Sequence, residues 1–189
     1  MYILASTSPR RKEIFEKANL NFKIVASKFD ENNITSKNPY LLAEKLAFGK
    51  AKEVSNRYPN QVVIGADTIV LVEGEVLGKP KDFDHAFEIL KKLSGHYQEV
   101  VTGVSIIYGD NYHNFHAISE VVFRELEDKE IIEYIKTGEP FDKAGAYAIQ
   151  GKANDFVIKF NGEIENIIGF PIKKFLDELK KFEEKYINV

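Results

Sequence analysis

The chain contains no cysteine. This excludes disulfides, a thiolate nucleophile and thiolate metal ligands, and it fits a reducing cytosol. No apolar run is long enough to span a bilayer, and the first residues lack the basic-then-apolar pattern of a signal peptide. A cytoplasmic protein without a membrane partner is therefore expected. An excess of positive charge is also missing: 26 Lys and Arg face 29 Asp and Glu, a net charge of −3. That balance disfavours nonspecific nucleic-acid binding, so a polyanionic partner has to be small and met by local basic groups. The four histidines, His85, His96, His113 and His116, show no metal spacing. There is no Ser-His-Asp arrangement, no Walker-type loop and no dinucleotide-binding glycine pattern.

What is present is ordinary globular material, 44% hydrophobic and 29% charged over 189 residues. It suffices for one substantial core, or for two small lobes around one cleft. Repeats, low-complexity tracts and linkers are not visible, so one domain over residues 1–189 is expected. "YILA" reads as a buried strand, after which Ser8 caps a helix with Pro9 in its first position and Ile14, Phe15 and Ala18 on its apolar face. "NFKIVAS" alternates like a strand, and "FDENNITSKN" is a polar loop. Asn38 and Pro39 open a second helix with Leu42, Leu46 and Ala51 inward, ending before Pro59. "QVVIGADTIVLV" is a β run turned into a hairpin at "VEGEV". Asp82 caps a periodic helix with Phe83, Ala86, Phe87, Leu90 and Leu93 on one stripe, stopped by Gly95. Two long β runs join around Gly109, Asp110 and Asn111, and Asp128 to Thr137 reads as helix. A glycine-containing loop precedes a hairpin turning at Asn161-Gly162. A last amphipathic helix carries Ile172, Phe175, Leu176, Leu179 and Phe182. Together these make an α/β unit with a mixed sheet.

Several residues are candidates for chemistry. Arg10 and Arg11 fall in the first turn of the first helix, the end at which the dipole disfavours cations. An anion held there by free N–H groups and both guanidinium groups would explain them; two solvated arginines is the alternative. Asp67 interrupts an apolar β run, where a carboxylate needs a partner; capping a turn at the strand end is the other possibility. Thr68 beside it offers a hydroxyl, or is simply a good strand residue. Glu31 is a second carboxylate able to share a hard divalent cation with Asp67. Lys79 lies in the loop "LGKPKD", where a point charge on phosphate competes with plain solvation. Lys50 reads first as a solvated helix lysine. Gln150 can read the edge of a base, and Gly145 and Gly151 around it permit close backbone approach or form a tight crossover. Residue chemistry alone reaches a phosphate-bearing ligand, hydrolysed with a metal, and no further.

The segments "LASTSPRR", "GADTIV", "GKPKD", "LSG", "DKAGAYAIQG" and "NIIGFPI" occur in this order along nearly the whole chain. In this the sequence resembles the Maf family of nucleoside triphosphate pyrophosphatases, first associated with septum formation. The resemblance implies an α/β fold with a mixed sheet flanked by helices and two lobes around a central cleft (Maf/ITPase-like), and a homodimer. It implies hydrolysis between the α- and β-phosphates, with Asp67 activating water directly or through Mg²⁺ or Mn²⁺ shared with Glu31. Arg10, Arg11 and Lys79 would hold phosphate oxygens, Ser8 would line the same pocket, and Lys50 would join them. One type within the family favours dTTP and UTP and has "GADT" and "AYxIQG"; a second prefers 7-methylated guanine nucleotides. Thr68 and Gln150 stand here as in the first, which implies dTTP, UTP and modified pyrimidine nucleotides as substrates in a house-cleaning role. The alternative is a nucleotide-binding regulator of cell division without turnover. An RNA-contacting protein fits poorly with the acidic net charge.

Overall fold

The computed structural model describes residues 1–187. It follows the expected alternation of strands and helices. Strand β1 (Tyr2–Leu4) leads into helix α1 (Pro9–Lys17), whose N-cap Ser8 accepts a hydrogen bond from the Arg11 amide. Strand β2 (Phe22–Ile24) follows, then helix α2 (Pro39–Arg57), capped by the Asn38 side chain on the Tyr40 and Leu41 amides. Next come β3 (Val63–Val72), β4 (Glu75–Leu77), α3 (Phe83–Leu93), β5 (Tyr97–Tyr108) and β6 (Asn111–Phe123). Helix α4 (Asp128–Lys136), β7 (Val157–Asn161), α5 (Ile164–Ile168) and α6 (Ile172–Tyr186) complete the order. Short 3₁₀ turns fill the glycine-containing loop at Glu139–Asp142, Ala144–Ala146 and Lys152–Phe156.

The described strands form one sheet in the order β2-β1-β3-β5-β6-β7, with β4 paired to β3 alone. Parallel pairing of β1 with β2 and β3, and antiparallel pairing of β4 on β3 and β7 on β6, make it mixed. The chain divides into two compact units. The first comprises Met1–Thr68, Thr102–Ala117 and the segment from Gly169 on; the second comprises Ile69–Val101 and Ile118–Ile168.

In the first unit, Phe15 of α1 is fully buried against Phe22, Phe170 and Phe175 at centroid distances of 5.1, 4.8 and 5.6 Å. This aromatic cluster fixes α1 to the start of α6, the two edge-to-face pairs suiting the ring quadrupoles. The inward face of α2 is mostly small: Ala43, Leu46, Ala47, Ala51 and Val54 are buried, while Leu42 is only half-buried. The small face meets two glycines of the sheet. A Cβ on Gly65 would run into the Ala47 carbonyl and Ala51, and one on Gly103 into the Ala43 backbone. Helix and strands therefore touch backbone to backbone.

The second unit has its own core, in which Leu90, Phe123, Ile131, Tyr134 and Phe156 are buried. Two apolar stripes differ in detail from the sequence pattern. Ile89 is buried in α3, whereas Phe83, at the helix's first position, is 41% exposed. Leu176 lies on the flank of α6, 40% exposed. The expected hairpin at Asn161-Gly162 is also replaced: β7 does pair with β6, but the chain leaves Gly162 into α5. Buried Asn166 of α5 donates through Nδ2 to the Val100 carbonyl and to Ser119 Oγ, which itself donates to the Glu163 carbonyl. These bonds tie the segment after Gly162 to β5 and β6.

Helix α4 starts with a capping box between Glu127 and Glu130, and the Glu130 carboxylate also receives both terminal nitrogens of Arg124 at 2.6 and 3.0 Å. The Arg124 bonds and the Glu127 amide hold the Glu130 carboxyl down from 4.5 to about 2. A depressed carboxylate contributes stability that is full above its unfolded pKa and is lost as pH falls through the folded one. Both side chains are more than a third exposed, so screening keeps the contribution to about 1 kcal/mol or less. Glu130→Gln is expected to lower the melting temperature at pH 7, with the deficit shrinking between pH 4.5 and pH 2. Circular-dichroism melts across that range test it, and a deficit independent of pH would contradict it.

Candidate active site

The site is built from the first unit. Asp67 lies in the middle of β3, at no strand end, and its side chain is only 14% exposed. Its partner is Lys50 of α2, whose ammonium lies 2.5 Å from Asp67 Oδ1 and 2.9 Å from Glu31 Oε1. Lys50 is thus no solvated helix lysine: its side chain is 16% exposed and joins two carboxylates that are distant in sequence.

Glu31 reaches Lys50 because its loop is tied down along α2. Arg57 donates to the Ala26 carbonyl at 2.8 Å, the Lys28 amide donates to Glu53 at 2.9 Å, and the Phe29 ring sits over Gly49, where a Cβ would overlap it. Asp30 then caps the 3₁₀ turn that carries Glu31, accepting from the Asn32 amide at 3.0 Å. A glycine inside a helix weakens it by about 1 kcal/mol relative to alanine. Here the space at Gly49 seats Phe29 one residue before Lys50.

Arg11 organises the other side of the site. Its Nε donates to the Gly169 carbonyl at 2.9 Å, one Nη to Ser6 Oγ at 3.3 Å and the other to Thr68 Oγ1 at 3.1 Å. Thr68 in turn bonds the Thr102 hydroxyl at 2.9 Å. Three of the five guanidinium N–H groups are used in these bonds, leaving one on each Nη. Burial pushes the Arg11 guanidinium below its ordinary value; Asp67 and Glu31 oppose that shift, and neighbouring Arg10 adds to it. Ser8 and half-buried Arg10 stand beside it at the start of α1, which has no acid in its first turn.

The structure thus brings Ser8, Arg10, Arg11, Glu31, Lys50, Asp67 and Thr68 into one unit. Lys79 and Gln150 belong to the second, both exposed. There the Gly145 amide donates to the Gly78 carbonyl at 3.1 Å, tying the lysine loop to the glycine-containing loop. Gly145 packs on Val70 and Gly151 on the Glu139 carboxylate, both contacts within the protein itself. Sequence reasoning missed Ser6, Thr102 and Gly169 as partners of Arg11 and Thr68. Gly169 left one signal, a glycine inside a motif: its φ of 140° is open to glycine and to few other residues. Oxygen donors suited to a hard cation are present in Glu31 and Asp67. Among the described residues, no group of three or more His, Asp or Glu converges as a metal cluster.

The chain matches the sequence model of the family described as Maf-like protein over residues 1–182. It is 45% identical over 179 residues to the dTTP/UTP pyrophosphatase of Geobacillus sp. (strain WCH70), covering 95% of this chain and 96% of the relative. It is 43% identical over 180 residues to the dTTP/UTP pyrophosphatase of Symbiobacterium thermophilum, covering 95% and 93%. The solved structure of the Staphylococcus aureus Ham1 protein aligns at a TM-score of 0.48 and 16% identity, over 65% of this chain and 71% of that one.

The Arg11 network makes a stability prediction. Arg11→Lys keeps the charge but replaces a planar fork by a single ammonium that cannot reach Gly169, Ser6 and Thr68 together. The unmet acceptors are expected to cost about 1–3 kcal/mol in urea-unfolding free energy, and an unchanged midpoint and slope would refute the network's role.

Proposed function

The chain belongs to the Maf family, and we propose that it is a nucleoside triphosphate pyrophosphatase of that family, cleaving dTTP and UTP to the monophosphate and pyrophosphate in a house-cleaning role. The observation that carries this reading is the convergence of Glu31 and Asp67 on one ammonium. It sits in a chain 45% identical to a dTTP/UTP pyrophosphatase over nearly its whole length.

In the reaction, water adds to phosphorus as the bond between the α- and β-phosphates breaks. Asp67 takes the proton of the attacking water, and its burial in β3 holds the acceptor oxygen in place. Arg10 and the two remaining N–H groups of Arg11 meet phosphate oxygens, with the Ser8 hydroxyl adding a donor. Thr68, fixed by Arg11 and Thr102, presents a hydroxyl whose position is set before substrate arrives. Lys79 for phosphate and Gln150 for the base are assigned from their motifs. Glu31 and Asp67 fit a Mg²⁺ or Mn²⁺ ion, since both offer hard carboxylate oxygens to one place and phosphate and water can supply the rest. Such an ion, when bound, neutralises phosphate charge and acidifies water.

The family match covers parts of both compact units, and we take residues 1–189 as one functional domain. No helix among the described residues is long and apolar enough to cross a membrane. A cytoplasmic homodimer that binds neither membrane nor nucleic acid is part of the proposal; it rests on composition and on the resemblance.

The test is pyrophosphate release with Mg²⁺ or Mn²⁺ across dTTP, UTP, CTP, GTP, 7-methyl-GTP and ATP. Turnover of dTTP and UTP is expected, with a loss of about 10²–10⁴-fold in Asp67→Asn. Preference for 7-methyl-GTP would overturn the base assignment to Thr68 and Gln150. Nucleotide binding by folded protein without any release would favour the regulator instead.

A further inference from the structure

We infer that Lys50 is a positioning residue that exchanges with the divalent cation. Its ammonium holds Glu31 and Asp67 together in the nucleotide-free protein and is released to the triphosphate when nucleotide and cation arrive together. The inference rests on the pyrophosphatase reading above.

The geometry points to exchange because the ammonium stands where the two carboxylates meet, 2.9 Å from Glu31 and 2.5 Å from Asp67. Lys50 and Asp67 are both largely buried, so this is not a loose surface pair averaged away by solvent. Two converging carboxylates repel unless a positive charge lies between them. An ammonium and a hard divalent cation both want the same carboxylate oxygens, and the two charges cannot share the place. A cation arriving alone would have to expel Lys50 from its ion pairs with no anion to receive it, and stranding a buried charge is costly. A cation arriving on a triphosphate brings phosphate oxygens that can take the displaced ammonium.

The lysine is built for such a move. It is a point charge on a flexible four-carbon stem, and it can leave without any change in backbone. The helix beneath it is held: Gly49 is covered by Phe29, and Gly65 and Gly103 lie in contact with the α2 backbone. The moving part is therefore the side chain. Cation and nucleotide then bind with positive coupling, each raising the affinity for the other by the same factor.

The experiment is a Mn²⁺ titration followed by electron paramagnetic resonance, which counts free Mn²⁺ directly and needs no turnover. Wild type, Lys50→Met, Lys50→Arg and Asp67→Asn are compared with and without α,β-imido-dUTP, whose bridging nitrogen blocks cleavage. Wild type is expected to bind Mn²⁺ at least about tenfold more tightly with the analogue than without it. Without nucleotide, Lys50→Met is expected to bind Mn²⁺ at least about tenfold more tightly than wild type, since the competing cation is gone. Lys50→Arg keeps a cation in place and should stay at the wild-type level. Equal nucleotide-free affinity in Lys50→Met and wild type would overturn the exchange while leaving the pyrophosphatase reading intact, provided Asp67→Asn still abolishes analogue-dependent binding. Circular-dichroism melts establish that each variant is folded. Should Lys50→Met fail to fold, equal Mn²⁺ affinity in wild type with and without the analogue overturns the exchange by itself. Indifference of all Mn²⁺ binding to both the analogue and Asp67→Asn would overturn the underlying reading as well.

Discussion

A carboxylate in the middle of a β-strand is an expensive thing to bury, and Asp67 sits in β3 among Ala66, Ile69 and Val70, all of them buried. The Lys50 ammonium makes it tolerable. Much of the first unit can be understood as the means of delivering that ammonium. The small inward face of α2 and the two glycines facing it set the height of the helix above the sheet. The pinned loop from Ala26 to Glu31 then adds the second carboxylate. Change the height or free the loop, and the three charges no longer share a point.

Arg11 does for Thr68 what Lys50 does for Asp67. In sequence it looks like a cation placed at the wrong end of a helix. In the fold it is a brace, tying the start of α1 to β3 and to the Gly169 carbonyl ahead of α6. Three of its five N–H groups are spent on protein oxygens. Neighbouring Asp67 and Thr68 are thus fixed from different directions, one by an ion pair from α2 and one by hydrogen bonds from α1. On the proposed reading, a reacting group and its neighbour held in this way would lose little freedom when substrate binds, which is how positioning lowers a barrier.

Most of the fold was legible in the sequence because its signals are local. Ser8-Pro9, Asn38-Pro39 and Asp82 mark helix starts, and the Glu73-Gly74 and Gly109 turns mark hairpins. The errors came where tertiary bonds override a local signal. Asn161-Gly162 carries a hairpin signature, yet the chain passes into α5, where buried Asn166 bonds Val100 and Ser119. The candidate site was legible as a set of residue types and motif positions. Its wiring was not. Nothing in "FGKAK" says that Lys50 faces a strand carboxylate; the glycine inside the helix was the only hint that something packs there. Nor does "STSPRR" distinguish an arginine spent on protein oxygens from one left for a ligand, because its acceptors Thr68 and Gly169 lie far along the chain.

The contact of α2 with Gly65 and Gly103 has a mechanical meaning. It is a fit without clearance: helix and strand rest against each other with no side chain as a cushion between them. A methyl group added at either point cannot be absorbed by a rotamer change and has to lift a nineteen-residue rod. Because Lys50 rides on that rod, two positions that carry no side chain at all set the spacing of the charges above them.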